Sequence, residues 1–257
     1  MIFRDDLFKN KSVLVTGGGT GIGKEIAAQF LKAGATVFIC GRKEAKLKEA
    51  IEELSLIGPC FEKTTDIRET AQILDLANFI KEKTGRLDIL INNAGGQFLS
   101  PAEDISEKGW LAVINNNLNG TWFMTQTMAN QFFIPQKEGK IVTIIVNIYR
   151  GFPGMVHTGA ARAGVDNLTK SLAVEWSKYN IQINAIAPGI ILSSGLDNYP
   201  PQMLHGLAEN IPAKRLGRVD EVASLTLFLS TQAADYLTGD TIYLDGGQHL
   251  HGSPYLL

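Results

Sequence analysis

Apolar runs alternate along the chain with segments of helical period. Ser12–Thr16, Thr36–Cys40, Cys60–Thr64, Leu87–Ile91, Ile141–Val146, Ile181–Ala187 and Thr241–Leu244 read as strands, most of them uninterrupted by polar residues. After the first run, Ile22, Ile26, Phe30 and Ala33 recur on one helical face and predict a helix over about 21–33. A charged amphipathic helix follows over Lys43–Ile57, with further helices near Arg68–Thr84, Ser106–Phe133, Thr158–Tyr179 and Asp220–Ser230. Strands without a polar face, each followed by a helix, belong in a parallel sheet covered on both sides. The pattern predicts a single doubly wound α/β domain over residues 1–257, binding its ligands at the carboxyl ends of the strands. The polar, proline-containing stretch 193–212 reads as a substrate lid within it.

Composition narrows the partners. With 24 basic and 26 acidic residues among 257, the net charge of −2 argues against a nucleic-acid or membrane-surface binder. The stretch Ile141–Ile148 is far short of the roughly 20 residues that span a bilayer. Cys40, Cys60 and four scattered histidines provide neither a disulfide framework nor a metal site. The opening residues lack a signal peptide's apolar run, and the final Tyr255-Leu256-Leu257 is not a peroxisomal address, so a cytoplasmic location is expected.

The first strand leads into Thr16-Gly17-Gly18-Gly19-Thr20-Gly21-Ile22-Gly23 and then a helix. A glycine turn between strand and helix lets backbone approach a pyrophosphate, which the free N–H groups of the helix start attract. The second strand ends in Arg42-Lys43, where a site for the unphosphorylated dinucleotide usually carries an acid. Two cations at a helix start oppose its dipole unless an anion sits there. The 2′-phosphate of NADP(H) is that anion, with two solvated surface charges as the alternative. Lys24 is placed to add to the phosphate site. Asp66 and Ile67 follow the third strand, where Asp66 either accepts from the adenine amine or caps the next helix. Asn92-Asn93-Ala94-Gly95 ends the fourth strand beneath the cofactor.

Together with Asn117-Leu118-Asn119-Gly120, Asn184-Ala185-Ile186-Ala187-Pro188-Gly189 and Asp245-Gly246-Gly247, these motifs resemble the short-chain dehydrogenase/reductase family over nearly the whole chain. The resemblance implies strand order 3-2-1-4-5-6-7, a nicotinamide cofactor touched after Pro188-Gly189 by Ile190 and Ile191, and a homotetramer. The family's Ser, Tyr and Lys fall here on Ile145, Thr158 and Arg162. A threonine hydroxyl is too weak an acid to replace the tyrosine, and arginine is a poor proton relay, although its fork can hold a ribose. Gly95-Gly96-Gln97-Phe98-Leu99-Ser100-Pro101-Ala102-Glu103 and His157-Thr158-Gly159-Ala160-Ala161-Arg162-Ala163-Gly164-Val165 resemble the branch of peroxisomal trans-2-enoyl-CoA reductases and 2,4-dienoyl-CoA reductases.

That resemblance implies NADPH-dependent reduction of the C=C bond of α,β-unsaturated acyl-CoA thioesters. The alternatives are a 2,4-dienoyl-CoA substrate, or an NADP-binding scaffold with a degraded site. Proton-donor candidates are Tyr149 after the fifth strand, Thr158, and Asp166 with Lys170, the last read as a surface ion pair. Asn117 matches the family's helix asparagine that anchors a water, Gln97 and Phe98 are placed beside the substrate, and His157 reads as structural.

Overall fold

The computed structural model describes residues 3–196 and 206–250. Seven strands form one parallel sheet: β1 (Ser12–Thr16), β2 (Thr36–Gly41), β3 (Cys60–Thr64), β4 (Ile89–Asn92), β5 (Gly139–Ile144), β6 (Ile181–Pro188) and β7 (Thr241–Leu244). Their order is 3-2-1-4-5-6-7, the expected one. Successive strand residues serve opposite faces, which explains the lack of a polar face. Val13 and Val15 join Ile26, Phe30, Val37, Ile39 and Leu227 on one side. Leu14 joins Phe38, Ile73, Leu90, Met124 and Phe132 on the other. Parallel register aligns Leu14 with Phe38 in β2 and with Leu90 in β4, so one apolar row crosses three strands.

The helices are α1 (Gly21–Lys32), α2 (Glu44–Leu54), α3 (Thr70–Thr84), α4 (Glu107–Ile114), α5 (Gly120–Met128), α6 (Ile134–Gln136), α7 (Val156–Glu175) and α8 (Val219–Leu229). The helix expected over Ser106–Phe133 is one rod interrupted twice by π turns, at Asn115–Asn119 and Ala129–Phe133. The first π turn coincides with the asparagine cluster. Among the described residues no helix is long and apolar enough to cross a membrane.

Two strands start elsewhere than expected. β4 starts at Ile89 because Asp88 turns away to accept the Ser12 N–H at 2.8 Å and the Lys11 ammonium at 3.1 Å. β5 starts at Gly139, where a Cβ would fall 2.5 Å from the Phe133 ring, so only glycine lets the strand run beneath it. Regular pairing of β5 ends at Ile144, after which the Ile145 and Asn147 N–H groups reach Ile186 O and Pro188 O. Short strands Ile191–Leu192 and Gly217–Arg218 pair near the predicted lid, of which residues 197–205 lie outside the described ones.

The carboxyl ends of β1 and β4 meet at the switch point of strand order, where this architecture places ligands. They are tied there by Thr16. Its hydroxyl donates to Ile91 O at 3.3 Å and accepts the Asn93 and Ala94 N–H groups at 3.0 and 2.9 Å. Asn93 returns its side-chain amide to Thr16 O and Gly17 O. Thr16→Val keeps the shape but strands these N–H groups. It is expected to cost about 1–3 kcal/mol, measured by urea unfolding. An unchanged midpoint would contradict this account.

Candidate active site

The glycine turn is built to take an anion. Gly17 and Gly21 have φ of +65° and +52°, which residues with a side chain rarely adopt. A Cβ on Gly23 would lie 2.3 Å from Gly17 O and 2.4 Å from Asn93 Nδ2, so this position must be bare for α1 to approach the turn. α1 has no acid in its first turn and no side-chain cap from Thr20, leaving its first N–H groups for a ligand. Gly19 faces α2, where a Cβ would meet Lys46 O at 3.2 Å, and Ile22 packs on the core from the far side of the turn. Lys24 does not join this site, because its ammonium is 2.7 Å from Glu53.

Arg42 and Lys43 are exposed at the end of β2, and neither forms an ion pair among the described residues. Lys43 is the N-cap of α2 without a side-chain cap bond. Asp66 is already engaged. Its carboxylate accepts the Arg68 backbone N–H at 3.0 Å and the Arg68 guanidinium, which holds its pKa below the usual carboxylate value. Nor does Asp66 cap α3, which begins at Thr70 with Glu69 as N-cap. Ile67 is buried, and a Cβ on Gly120 would lie 2.8 Å from its side chain.

The centre of the site is Arg162 on α7. Its side chain is buried, with 6% of the residue exposed, and Nε and Nη1 have no hydrogen-bond partner among the described residues. Burial alone moves its pKa, down to about 10, so it remains a cation at neutral pH. No neighbouring charge contributes to that shift. A Cβ on Gly95 would fall 2.3 Å from Arg162 Nη2 and 2.8 Å from Asn117 Oδ1, so the absent side chain makes room for both.

Asn117 sits in the π turn, where the widened helix turns its amide inward. Its Nδ2 donates to Gly96 O at 2.7 Å and Val113 O at 3.0 Å, and its Oδ1 accepts the Gly96 N–H at 3.1 Å. Both amide hydrogens are therefore used. In this structure Asn117 positions the Gly96 backbone.

Thr158 lies one helical turn before Arg162 and is fully buried. Its backbone N–H donates to His157 Nδ1 at 2.8 Å. The His157 ring is also buried, and Phe98 packs edge-on against it at 4.4 Å. Gly109 leaves space for Phe98, since a Cβ there would be 3.0 Å from the ring. The exposed strip Gly95–Phe98, which includes Gln97, thus runs along the first turns of α7 from Arg162 to His157. Ile145 occupies the serine position and is buried with Val165, Ala185 and Ala187.

Tyr149 goes elsewhere. It is 61% exposed, and its ring packs edge-on against Tyr243 at 5.8 Å and His249 at 5.5 Å. The cause is a set of bonds from its loop to the C-terminal segment. Asn147 donates to Asp245 at 2.8 Å, and Arg150 donates to His249 O and Leu250 O. These bonds direct the expected proton donor, Tyr149, to the C-terminal segment in this structure. Asp166 and Lys170 form the expected ion pair, and Thr241 donates to Asp166 at 2.7 Å, tying α7 to β7.

Pro188 closes β6, and a Cβ on Gly189 would meet Asp245 at 2.8 Å. Ile190 and Ile191 line a cavity of about 170 Å³ with Ile211, Gly217 and Gly246. Sequence reasoning left Thr16 and Gly96 off the site. Thr16 was visible as the residue opening the glycine turn, but Gly96 carries no signal without the π turn.

The residues present fit a dinucleotide: a bare glycine cradle, an uncapped helix start and a buried cation with free donors. The family model described as enoyl-(acyl carrier protein) reductase matches residues 17–249. The chain is a short-chain dehydrogenase/reductase. It is 38% identical over 255 residues to a probable 2,4-dienoyl-CoA reductase of Bacillus subtilis, covering 96% of this chain and 100% of that one. Identity to a peroxisomal 2,4-dienoyl-CoA reductase of Danio rerio is 35% over 257 residues, covering 97% and 85%. A solved short chain dehydrogenase from Bacillus anthracis is 41% identical with a TM-score of 0.89, covering 96% of this chain and 100% of that one. As a member of this family the protein is an oxidoreductase that uses a nicotinamide cofactor. Among the described residues no cluster of His, Cys, Asp and Glu can hold a metal ion.

A buried cation without a counter-charge weakens the free protein. Arg162→Met is therefore expected to raise the Tm of the ligand-free dehydrogenase by a few degrees, about 2–4 °C per kcal/mol recovered. The same change is expected to weaken nicotinamide dinucleotide binding about tenfold or more, read by calorimetry. A lowered Tm with intact binding would contradict this assignment.

Proposed function

We propose that this dehydrogenase/reductase uses NADPH to reduce the C=C bond of α,β-unsaturated acyl-CoA thioesters. The observation that carries the reading is the make-up of the reaction centre. Ile145, Thr158 and Arg162 stand where a carbonyl reductase needs an acid able to protonate oxygen. Thr158 is too weak an acid, and Arg162 holds its proton up to about 10. Conjugate reduction makes a different demand. Hydride adds to the β carbon, the π pair moves onto the thioester oxygen, and water supplies a proton to the α carbon. The oxygen then needs hydrogen-bond donors, not an acid.

A bound reduced nicotinamide supplies the hydride. Gly17, Gly19, Thr20, Gly21, Ile22 and Gly23 form the pyrophosphate turn, and Arg42 and Lys43 take the 2′-phosphate. Asn93, Ala94 and Gly95 form the floor, Pro188 to Ile191 the far wall. Arg162 donates from Nε and Nη1 to the cofactor ribose, and Asn117 fixes the strip on which Gln97 and Phe98 meet the thioester. Ile67 borders the adenine end. Asp66 stays with Arg68 and leaves that end without a free carboxylate.

A second reading changes only the substrate. The names of the Bacillus and Danio relatives favour a 2,4-dienoyl-CoA, in which hydride lands further along the conjugated chain. The scaffold reading remains the alternative from another class. The exposed Trp110 and Leu111 on α4 and Val174 on α7 support a homotetramer through these helices.

The test follows cofactor absorbance with trans-2-decenoyl-CoA and 2,4-decadienoyl-CoA, each with NADPH and NADH. Turnover preferring NADPH about tenfold or more, with that preference lost in Arg42→Ala, is the expected result. Tyr149→Phe should keep kcat within about threefold. Tight NADPH binding without turnover of either thioester would move the protein to the scaffold reading. Sedimentation as a monomer at micromolar concentration would remove the tetramer.

A further inference from the structure

His157 Nε2 is buried and has no hydrogen-bond partner among the described residues. Among the described residues, only Arg162 and Glu62 share that condition. A buried polar atom without a protein partner is costly, and a bound ligand or water completes it. The ring's other nitrogen fixes what Nε2 can do. Nδ1 accepts the Thr158 backbone N–H at 2.8 Å, a donor that also reaches Met155 O at 2.9 Å, and this contact assigns the ring proton to Nε2. In that tautomer Nε2 is a donor with nothing to donate to among the described residues.

Its setting is the substrate side of the site. Phe98 packs edge-on against the ring at 4.4 Å, yet is itself 41% exposed. It belongs to the strip whose neighbouring residue, Gly96, is clamped by Asn117. Thr158 follows directly, and Arg162 lies just over one turn along α7. One short helical stretch thus carries a buried cation beside Gly95 and a buried imidazole donor beneath Phe98.

Resting on the proposed reduction of thioesters, we propose that His157 donates from Nε2 to the carbonyl oxygen of the acyl thioester, with Phe98 as the side chain that the acyl group displaces. During reduction, one hydride bonds to carbon and the π pair passes to that oxygen as an enolate. The imidazole keeps its proton and stabilises the oxygen by a hydrogen bond, and water protonates the α carbon as the enolate pair returns. An imidazole N–H suits this work because it strengthens its bond as charge develops on the oxygen.

The test compares wild type, His157→Gln and His157→Leu. Glutamine keeps a side-chain N–H donor, and leucine keeps the bulk without one. NADPH binding reports folding and is expected to stay within about twofold in both. For His157→Leu, kcat with the preferred acyl-CoA is expected to fall on the order of 10²–10³-fold, with glutamine recovering part of the loss. A second readout is the absorbance of a bound conjugated acyl-CoA, whose red shift reports polarisation of the thioester oxygen. The shift is expected in wild type, reduced in glutamine and absent in leucine. Wild-type turnover with an undiminished rate and red shift in His157→Leu would overturn the role of His157 and leave the proposed function standing. A wild type that binds NADPH but neither polarises nor reduces any unsaturated acyl-CoA would overturn the proposed function itself.

Discussion

A guanidinium buried without a counter-charge is the constraint around which this site is arranged. Such a group is expensive to enclose, and its neighbourhood shows the accommodation. Gly95 must lack a side chain so that Arg162 can lie against the exit of β4. The Gly96 backbone beside it is held at both its N–H and its C=O by Asn117. Asn117 reaches that backbone because its helix carries an extra residue in the turn. Three elements distant in sequence are thereby fixed to one another, while Nε and Nη1 keep their donor capacity.

Hydrophobic pattern carried the architecture. Parallel strands buried on both faces leave an unmistakable trace, and Val13, Leu14 and Val15 alternate between two cores without a polar position. The cofactor cradle was legible for a related reason, since glycines at a strand-to-helix turn answer a local backbone demand. Boundaries were less legible because single long-range contacts decided them. Asp88 left β4 to reach Ser12, and Gly139 entered β5 to pass beneath Phe133.

The chemistry was harder to read because it depends on partners far apart in the chain. Tyr149 had the right residue type at a strand end, but Arg150 and Asn147 draw its loop toward the C-terminal segment. Asp66 had the right position, but a neighbour two residues on takes its carboxylate. His157 had an unremarkable position, and its importance lies in an atom left unbonded, which no sequence pattern expresses. Residue type announces capacity, and the competition for hydrogen bonds decides which capacity stays free.

The π turn at Asn115–Asn119 has a consequence for how this helix can change. Such a turn accommodates one more residue than an α turn while keeping both flanks in line. The rod therefore behaves as an ordinary helix that has absorbed a single-codon insertion. Losing one residue there would let the turn relax to α geometry, with α4 and α5 retaining their outward faces. The scaffold would lose little, but Asn117 would swing off Gly96 and the wall of the cleft would come loose. Gain or loss of activity in this lineage can thus turn on the length of one helical turn, with the fold as bystander.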